Sequence, residues 1–396
     1  MPPNASHIGT GESTALRISA RSTPTAHGLG NTGRRRGPAA HAPRTRTDLD
    51  NGVRPKGGAM PPTEAVQYRL PDWTITVRCP NPGLFALLDA FHDRRSEDAE
   101  GDDPACVGPE VVVVADPQAP LAEAAGAAFD ADPAVARAVT CRYDAEVQPR
   151  ELMFRDVRVL IRDLWQRRLT RRRSAINLHA AAVDDGERVI AFVGDRYRGK
   201  TTLLLDTLLR HGGDLLSNDN LVVYRSPQGT MLTTVPTYIK VRAEPARRFA
   251  AMLRTRASAT THGAQMWRRY RRDPDLFPFD GEAMLPPAGF GRTRQPVVGL
   301  AQRQLVLVDV GFTDGRPELV RWPVSGAEGR AWLGGHAKWR TDAGTGRADA
   351  DRSTGRLLDD LLRGAHCFRL RHTGSVDLLL EGLPGIAPRP DAAMAR

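Results

Sequence analysis

Residues 194–201 constrain the fold of this chain more than any other segment, because they follow the spacing G-x-x-x-x-G-K-[ST] of a phosphate-binding loop. The two glycines let the backbone curl so that successive N–H groups point at phosphate oxygens. In such a loop the lysine reaches the β- and γ-phosphates, and the final hydroxyl ligates Mg²⁺. We therefore expect ATP and Mg²⁺ to be bound by Gly194, Asp195, Arg196, Tyr197, Arg198, Gly199, Lys200, Thr201 and Thr202.

The residues on either side of this loop support the assignment. Residues 189–193 form a short apolar run typical of a buried strand. Residues 201–210 carry leucines at helical spacing and end before Gly212 and Gly213, which predicts a helix with a glycine cap. A strand, a tight loop and a helix N-terminus form the α/β unit that binds phosphate, because the helix dipole favours anions. The alternative is a glycine-rich turn that matches the spacing by chance.

Composition bounds the rest of the chain. With 396 residues, 41% hydrophobic and 26% charged, we expect a globular protein with more than one domain. No apolar run is long enough to cross a membrane. The four cysteines lack the spacing of a zinc site or of a disulfide framework, which is typical of the cytoplasm. The net charge is +10, of which residues 1–60 contribute +6, with nine Lys and Arg against three Asp and Glu.

The domain organisation follows from shifts in composition. Residues 1–62 have no aromatic residue and no sustained apolar period, so we expect a disordered basic tail, with a nucleic-acid-binding arm around Arg34, Arg35 and Arg36 as the alternative. Residues 63–150 alternate like strands around a short helix at 84–92 and predict a small α/β lobe. The nucleotide-binding domain covers residues 151–385 and starts with a helix at 151–173. We expect residues 386–396 to fray.

Two predicted strands beside the loop carry polar residues that suit catalysis. Residues 176–183 predict one strand that carries His179 and leads through a tight turn into the strand of the loop. Residues 215–220 predict a strand that ends in Asn218 and Asp219. A carboxylate at this position can hold Mg²⁺ or accept a proton from an attacking hydroxyl. The alternatives are a buried structural role for His179 and a turn or cap role for Asp219.

Together, His179, the loop with Lys200 and Thr201, and Asp219 resemble the catalytic domain of the HPr kinase/phosphorylase family. The resemblance implies a mixed sheet with flanking helices, of the type that this family shares with ATP-dependent phosphoenolpyruvate carboxykinase. It implies that Lys200 contacts phosphate, that Thr201 and Asp219 lie at the metal, and that Asp219, His179 and Lys200 act in catalysis. Residues 305–309 and 367–370 resemble later strands of the same domain.

Two positions depart from the family pattern. Asn218 replaces the first acid of the family's Asp-Asp pair, and Lys240 falls where the family has a metal-binding glutamate. The resemblance implies transfer of the γ-phosphoryl group of ATP to a Ser or Thr hydroxyl of a peptide or protein. Because of these departures, the alternative is an ATP-binding sensor or scaffold without transfer. We expect neither a membrane nor a nucleic acid as partner, and the sequence leaves a homo-oligomer open.

The remaining segments are less specific. Residues 244–295 interleave arginines with Trp267 and Tyr270, which predicts an amphipathic helix pair, with a phosphate-binding lid or a single-strand nucleic-acid surface as alternatives. Residues 326–355 are rich in Gly, Ala, Asp and Arg and predict a mobile insertion, in which Trp332, His336 and Trp339 share one short helix.

Overall fold

The computed structural model describes residues 64–71, 73–95, 107–114, 138–142, 150–172, 175–272, 283–324, 326–340 and 347–383. The expectations for residues 1–62 and 386–396 lie outside these ranges. Residues Ala59–Arg396 form one compact unit. Within it the protein is mixed α/β, with helices packed on several sheets.

The N-terminal sheet is built on a hairpin of alternating strands. Its strand order is β3-β1-β2-β4-β5. The strands are β1 (Glu64–Leu70), β2 (Trp73–Cys79), β3 (Asp93–Arg94), β4 (Val107–Val114) and β5 (Ala138–Arg142). Helix α1 (Pro82–Leu88) begins at Asn81, whose side chain accepts a hydrogen bond from the Gly83 N–H, and it is shorter than expected.

The long helix α2 (Arg150–Arg172) packs against this N-terminal sheet. Its apolar residues, including Phe154, Ile161 and Trp165, are buried in the same core as the hairpin. The core also contains Val222 and Tyr224 from the following part of the chain. The helix is therefore shared between the two predicted domains, and the boundary at residue 150 stays a prediction.

Two further sheets carry the segment around the phosphate loop. The six-stranded sheet has the order β16-β18-β15-β8-β7-β9 and the five-stranded sheet has the order β14-β11-β10-β6-β17. The strands are β6 (Ala175–Leu178), β7 (Ala180–Asp184), β8 (Arg188–Val193), β9 (Asp214–Ser217), β10 (Leu221–Ser226), β11 (Gly229–Thr234), β14 (Val298–Gly299), β15 (Gln304–Phe312), β16 (Glu318–Arg321), β17 (Ala337–Arg340) and β18 (Ala365–His372). Ile190 and Phe192 face one core, whereas Val189, Ala191 and Val193 face the other.

The predicted single strand at residues 176–183 is in fact two strands. It breaks at His179, so that β6 belongs to the five-stranded sheet and β7 to the six-stranded sheet. The His179 N–H donates to the His336 carbonyl at 2.8 Å instead of continuing either ladder. A run of small and β-branched residues does not reveal such a break, because both halves are buried and apolar. The break places the His179 side chain at the junction of two sheets.

Strand β8 lies in the middle of the six-stranded sheet, parallel to β15 and antiparallel to β7. It leads through residues 194–199 into helix α3 (Lys200–Asp206), as the sequence predicts. The last turn, Thr207–His211, has π-helical hydrogen bonding and ends at Gly212, where φ is 83°. The predicted strand, loop and helix are confirmed, with a wider last turn.

The arginine-rich segment forms three helices, where the sequence predicts two. They are α4 (Ala243–Arg248), α5 (Ala250–Ala257) and α6 (Thr261–Arg272). They are flanked by β12 (Ile239–Val241) and β13 (Ala283–Leu285), which pair with each other. Phe249, Leu253 and Trp267 pack into the core that also receives the leucines of α3.

The expected mobile insertion at residues 326–355 is wrong for the residues described there. Residues Gly326–Gly335 form helix α7, and β17 follows it and pairs with β6. Trp339 lies on this strand and His336 lies between the two elements, so the predicted short helix contains only Trp332 of the three. Helix α8 (Arg347–Arg363) precedes β18, and α9 (Asp377–Gly382) ends the described chain.

None of the described helices combines the length and the apolar composition that a membrane crossing requires.

Candidate functional site

The phosphate loop has a backbone that favours glycine at position 199, directly before α3. Gly199 precedes α3 with a φ of 88°. A Cβ at this position would lie 2.4 Å from Cε1 of His372. Tyr197 also has a positive φ, of 70°. Two left-handed residues within the loop turn the chain sharply between β8 and α3, which is the geometry that directs main-chain N–H groups inward.

Lys200 is folded back onto the loop that carries it. Its Nζ donates to the carbonyls of Gly194 and Asp195, both at 2.8 Å, and the residue is only 7% exposed. Burial lowers the pKa of Lys200 to about 8, although the charge of Asp219 opposes the shift. The ammonium group therefore lies inside the loop, near the acid that the sequence places in the same site.

Thr201 contacts the residue at which the chain departs from the family pattern. Its hydroxyl lies 3.4 Å from Oδ1 of Asn218, and the Asn218 amide nitrogen donates to the carbonyl of Tyr238 at 3.0 Å. The second bond fixes the amide so that its oxygen points at Thr201. Beside Thr201 the structure thus places Asn218, whereas the sequence analysis assigned Asp219 to a metal together with Thr201.

Asp219 is held between His179 and a lysine from a distant strand. Nε2 of His179 lies 2.8 Å from one carboxylate oxygen, and Lys338 Nζ contacts the other. Burial by itself would raise the pKa of Asp219, but the hydrogen bond from His179 and the charge of Lys338 outweigh it and hold the pKa below its usual value. Asp219 is therefore a carboxylate that already has two partners.

The sequence analysis missed Lys338 and treated His336 as part of an insertion. Lys338 also donates to the side chain of Asn220 at 3.1 Å. His336 Nδ1 lies 3.8 Å from the carboxylate of Asp195, and burial lowers the pKa of His336. The alternation at residues 337–340 is a weak strand signal. Only the pairing of β17 with β6 shows that these residues reach the loop.

A buried histidine braces the loop from the other side. Nδ1 of His372 accepts from the Gly374 N–H and its Nε2 donates to the carbonyl of Arg198, both at 2.9 Å. These two bonds require a neutral ring with its proton on Nε2. Burial lowers the pKa of His372, although the Arg198 carbonyl opposes the shift. The sequence gives no signal for this contact, because His372 lies 174 residues from Arg198.

The outer residues of the loop face solvent. Asp195, Arg196, Tyr197 and Arg198 are exposed, and Thr202 is buried at the start of α3. The Tyr197 ring is 62% exposed and lies between two guanidinium groups, 5.2 Å from Arg196 and 4.2 Å from Arg242. The loop thus presents one aromatic ring and several arginines on its open side.

Other acids in this part of the molecule already have partners. Asp309, within β15 and opposite Val193 of β8, contacts Arg369 at 3.2 Å. Among the described residues, one group of acids and histidine is close enough to share an ion: Asp206, His211 and Asp377. Arg210 lies 3.1 Å from both of these carboxylates, so this group is an ion-pair cluster. Lys240 lies exposed on β12, between buried neighbours.

The structure therefore brings the predicted site residues together. His179 and Asp219 are in contact, Lys200 and Thr201 start the helix beside them, and Asn218 joins the two groups. Lys338, His336 and His372 are additions from the second half of the chain. No family model matches this chain, and no match was found among the curated proteins.

Proposed function

We propose that the chain is a P-loop kinase of the HPr kinase type, which transfers the γ-phosphoryl group of ATP to a Ser or Thr hydroxyl of a peptide or protein. The observation that carries the proposal is the contact between Thr201 and Asn218, which brings the strand end with Asp219 to the N-terminus of α3. A phosphate-binding loop and a carboxylate with a defined partner are the minimum that this chemistry needs.

The loop residues bind and orient the nucleotide. The main-chain N–H groups of residues 194–201 and the dipole of α3 attract the phosphates. Lys200 now donates to two loop carbonyls, and it exchanges these for phosphate oxygens when the nucleotide enters. Lys338 is the second ammonium group near the γ-phosphate, since it contacts Asp219. Both lysines stabilise the negative charge that the transferred group carries.

The donor set fits a hard cation such as Mg²⁺. Thr201 Oγ1 and Asn218 Oδ1 are neutral oxygens 3.4 Å apart, and oxygen ligands of this kind suit Mg²⁺ together with phosphate oxygens. Bound Mg²⁺ would neutralise charge on the phosphates. A metal contact of Asp219 stays a prediction, because His179 and Lys338 already contact both of its oxygens.

Asp219 handles the proton in this mechanism. The acceptor oxygen forms a bond to the γ-phosphorus, the bond from that phosphorus to the oxygen of ADP breaks, and the hydroxyl proton passes to a carboxylate oxygen of Asp219. Transfer of Lys338 from Asp219 to the phosphate would free that oxygen. His179 keeps the other oxygen in place through its 2.8 Å contact and acts as a positioning residue.

The second candidate function is an ATP-binding sensor or scaffold without transfer. It is favoured by the pairing of Asp219 with Lys338, which lowers the basicity of the carboxylate, and by Asn218 beside Thr201. Incubation with γ-labelled ATP, Mg²⁺ and an array of Ser- and Thr-containing peptides separates the two. Label on peptides supports the kinase; nucleotide binding without label on any peptide supports the sensor.

A further inference from the structure

Helices α4 to α6 carry an unusual excess of arginine. Ala243 to Arg272 contain eight arginines and one acid, Glu244. All eight arginines are exposed. Four of them crowd the last two turns of α6, at Arg268, Arg269, Arg271 and Arg272. One or two basic residues suffice to offset the dipole at a helix C-terminus, so this density is not explained by helix stability.

Most of these arginines form no ion pair with the described residues, unlike several arginines elsewhere in the molecule. Arg94, Arg210, Arg294 and Arg303 each contact an Asp within 3.1 Å. Within α4 to α6, Arg248 contacts Asp206. The other seven form no ion pair with any residue of the described ranges, and we name them the arginine surface: Arg247, Arg254, Arg256, Arg268, Arg269, Arg271 and Arg272. Seven positive charges without an acidic partner among the described residues repel each other, which an anionic partner would relieve.

Other residues of the same segment connect helices α4 to α6 to the phosphate loop. Arg242, which precedes α4, lies 4.2 Å above the ring of Tyr197 in the loop. Arg248 donates to the Gly374 carbonyl at 2.8 Å. The Gly374 N–H donates to His372, which in turn hydrogen-bonds Arg198 of the loop. His262 of α6 contacts the Tyr238 hydroxyl at 2.8 Å, and the Tyr238 carbonyl holds Asn218. The helices that carry the arginine surface are therefore anchored to the site through Arg242, Arg248 and His262.

The aromatic residues of this segment argue for a protein partner. Single-stranded nucleic acids are bound through exposed aromatic rings on which bases stack. Trp267 is buried and packs against Tyr270, with ring centroids 5.6 Å apart, so the Trp267 ring offers no open face. The apolar residues Phe249, Leu253 and Trp267 are buried in the core, which removes them from contact with a membrane. Guanidinium groups bind carboxylates through paired, planar hydrogen bonds.

From these observations we infer that the arginine surface docks an acidic segment of the acceptor, so that the kinase selects a Ser or Thr whose neighbourhood is rich in Asp and Glu. The identification of the docked partner as the phosphoryl acceptor rests on the proposed function. Docking itself is a binding property and is measured without ATP.

The test is fluorescence anisotropy of the full chain with a labelled peptide that has one serine between runs of glutamate. The same peptide with glutamine at every glutamate is the probe control. The variant replaces Arg268, Arg269, Arg271 and Arg272 by Gln, which preserves helix propensity. Its matched control replaces four exposed arginines elsewhere that form no ion pair with the described residues: Arg69, Arg316, Arg321 and Arg356. Circular dichroism checks that both variants fold.

We expect the glutamate peptide to bind, to weaken with added salt, and to lose about tenfold or more in affinity in the helix variant, as four exposed ion pairs of modest strength would give. The control variant should bind within about twofold of the unmodified chain. Equal affinity of the helix variant for the peptide would overturn the inference. So would arginine-dependent binding of single-stranded DNA or anionic vesicles that is tighter than peptide binding.

Transfer assays distinguish this inference from the proposed function. If acidic peptides bind through the arginine surface but receive no phosphoryl group, docking stands and the kinase proposal fails. If the glutamine peptide is phosphorylated with the same kcat/KM as the glutamate peptide, the kinase stands and the docking inference fails.

Discussion

Asp219 meets three demands that conflict at a single carboxylate. It accepts a hydrogen bond from His179, it pairs with Lys338, and the mechanism that we propose requires it to take a proton. A carboxylate held by two partners has a lowered pKa and is a weak base. Phosphoryl transfer tolerates this, because positioning and charge stabilisation contribute more than proton abstraction does. Asp219 can therefore accept the proton only if Lys338 moves from its carboxylate to the phosphate.

Replacement of Asp219 by Asn keeps the shape of the side chain and removes its charge. We expect transfer of labelled phosphoryl to fall by about 100-fold or more, the usual contribution of a general base, while ATP affinity stays within a few-fold. The control variant is Asn218→Asp. It introduces beside Thr201 the acid that the HPr kinase pattern has there, and it should leave transfer intact. Unchanged transfer by the Asp219→Asn variant would remove Asp219 from the chemistry.

The pKa of Lys200 makes nucleotide binding depend on pH. The lysine binds phosphate only when protonated, and its pKa is about 8 in the ligand-free protein. ATP affinity should therefore be constant near neutral pH and fall by up to about tenfold per pH unit above the pKa of Lys200. Titration calorimetry over this range measures the effect. An affinity that does not change with pH there would contradict the burial of this ammonium group.

The loop and the elements around it show how closely the backbone is held. Gly199 lies against His372, which bridges Arg198 and Gly374. Two strands therefore fix the loop: β8, which precedes it directly, and β18, which is distant in sequence. Its shape before nucleotide binds depends on this distant contact.

Alanine variants of two glycines with similar φ angles distinguish the effect of a steric contact from that of backbone strain. Gly199 and Gly212 have φ of 88° and 83°, but a Cβ at Gly212 would meet no atom within 4 Å. Gly212→Ala should lower the free energy of unfolding by about 1–3 kcal/mol and leave ATP affinity unchanged. Gly199→Ala should in addition abolish measurable ATP binding. Equal ATP affinity of the two variants would show that the contact with His372 does not shape the loop.

Local elements of the site could be predicted from the sequence, whereas its long-range contacts could not. The spacing of residues 194–201 and the leucines after them predict a strand, a loop and a helix, and all three are present. The break at His179 and the pairing of β17 with β6 depend on which sheets the strands join. No local pattern in the sequence could therefore assign Lys338 to the site, because it lies 119 residues from Asp219, the acid that it contacts.

The N-terminal sheet and the phosphate-loop region are joined by one core. Residues of the hairpin, of α2 and of β10 are buried together. Arg294 donates to Asp93 at 2.9 Å, and Gln295 helps to line a small cavity beside His92, Arg158 and Trp165. Loss of packing in the N-terminal part would therefore also disturb β10, which follows Asn218 and Asp219 along the chain.

His92 makes this shared core sensitive to acid. Burial lowers the pKa of His92 to about 3, and the charge of Arg158 adds to the effect. An unfolded histidine binds a proton below about pH 6.5. The unfolded chain therefore gains a proton that the native chain does not, and the free energy of unfolding falls by about 2 kcal/mol between pH 7 and 5.

Denaturant unfolding of a His92→Phe variant at both pH values checks this expectation. The variant should lose most of the difference, whereas His366→Phe, at a half-buried histidine on β18, should keep it. An unchanged pH dependence in the His92 variant would show that this histidine is not the acid-sensitive group of the core.

A crystal structure of the full chain with Mg²⁺ and a non-hydrolysable ATP analogue tests whether residues 194–201 form the nucleotide site of a kinase. We expect the triphosphate to lie on the loop N–H groups, with Lys200 on its phosphates and the γ-phosphate within hydrogen-bond reach of Lys338 and beside Asp219. A nucleotide bound elsewhere, or a γ-phosphate that points away from Asp219, would contradict the account.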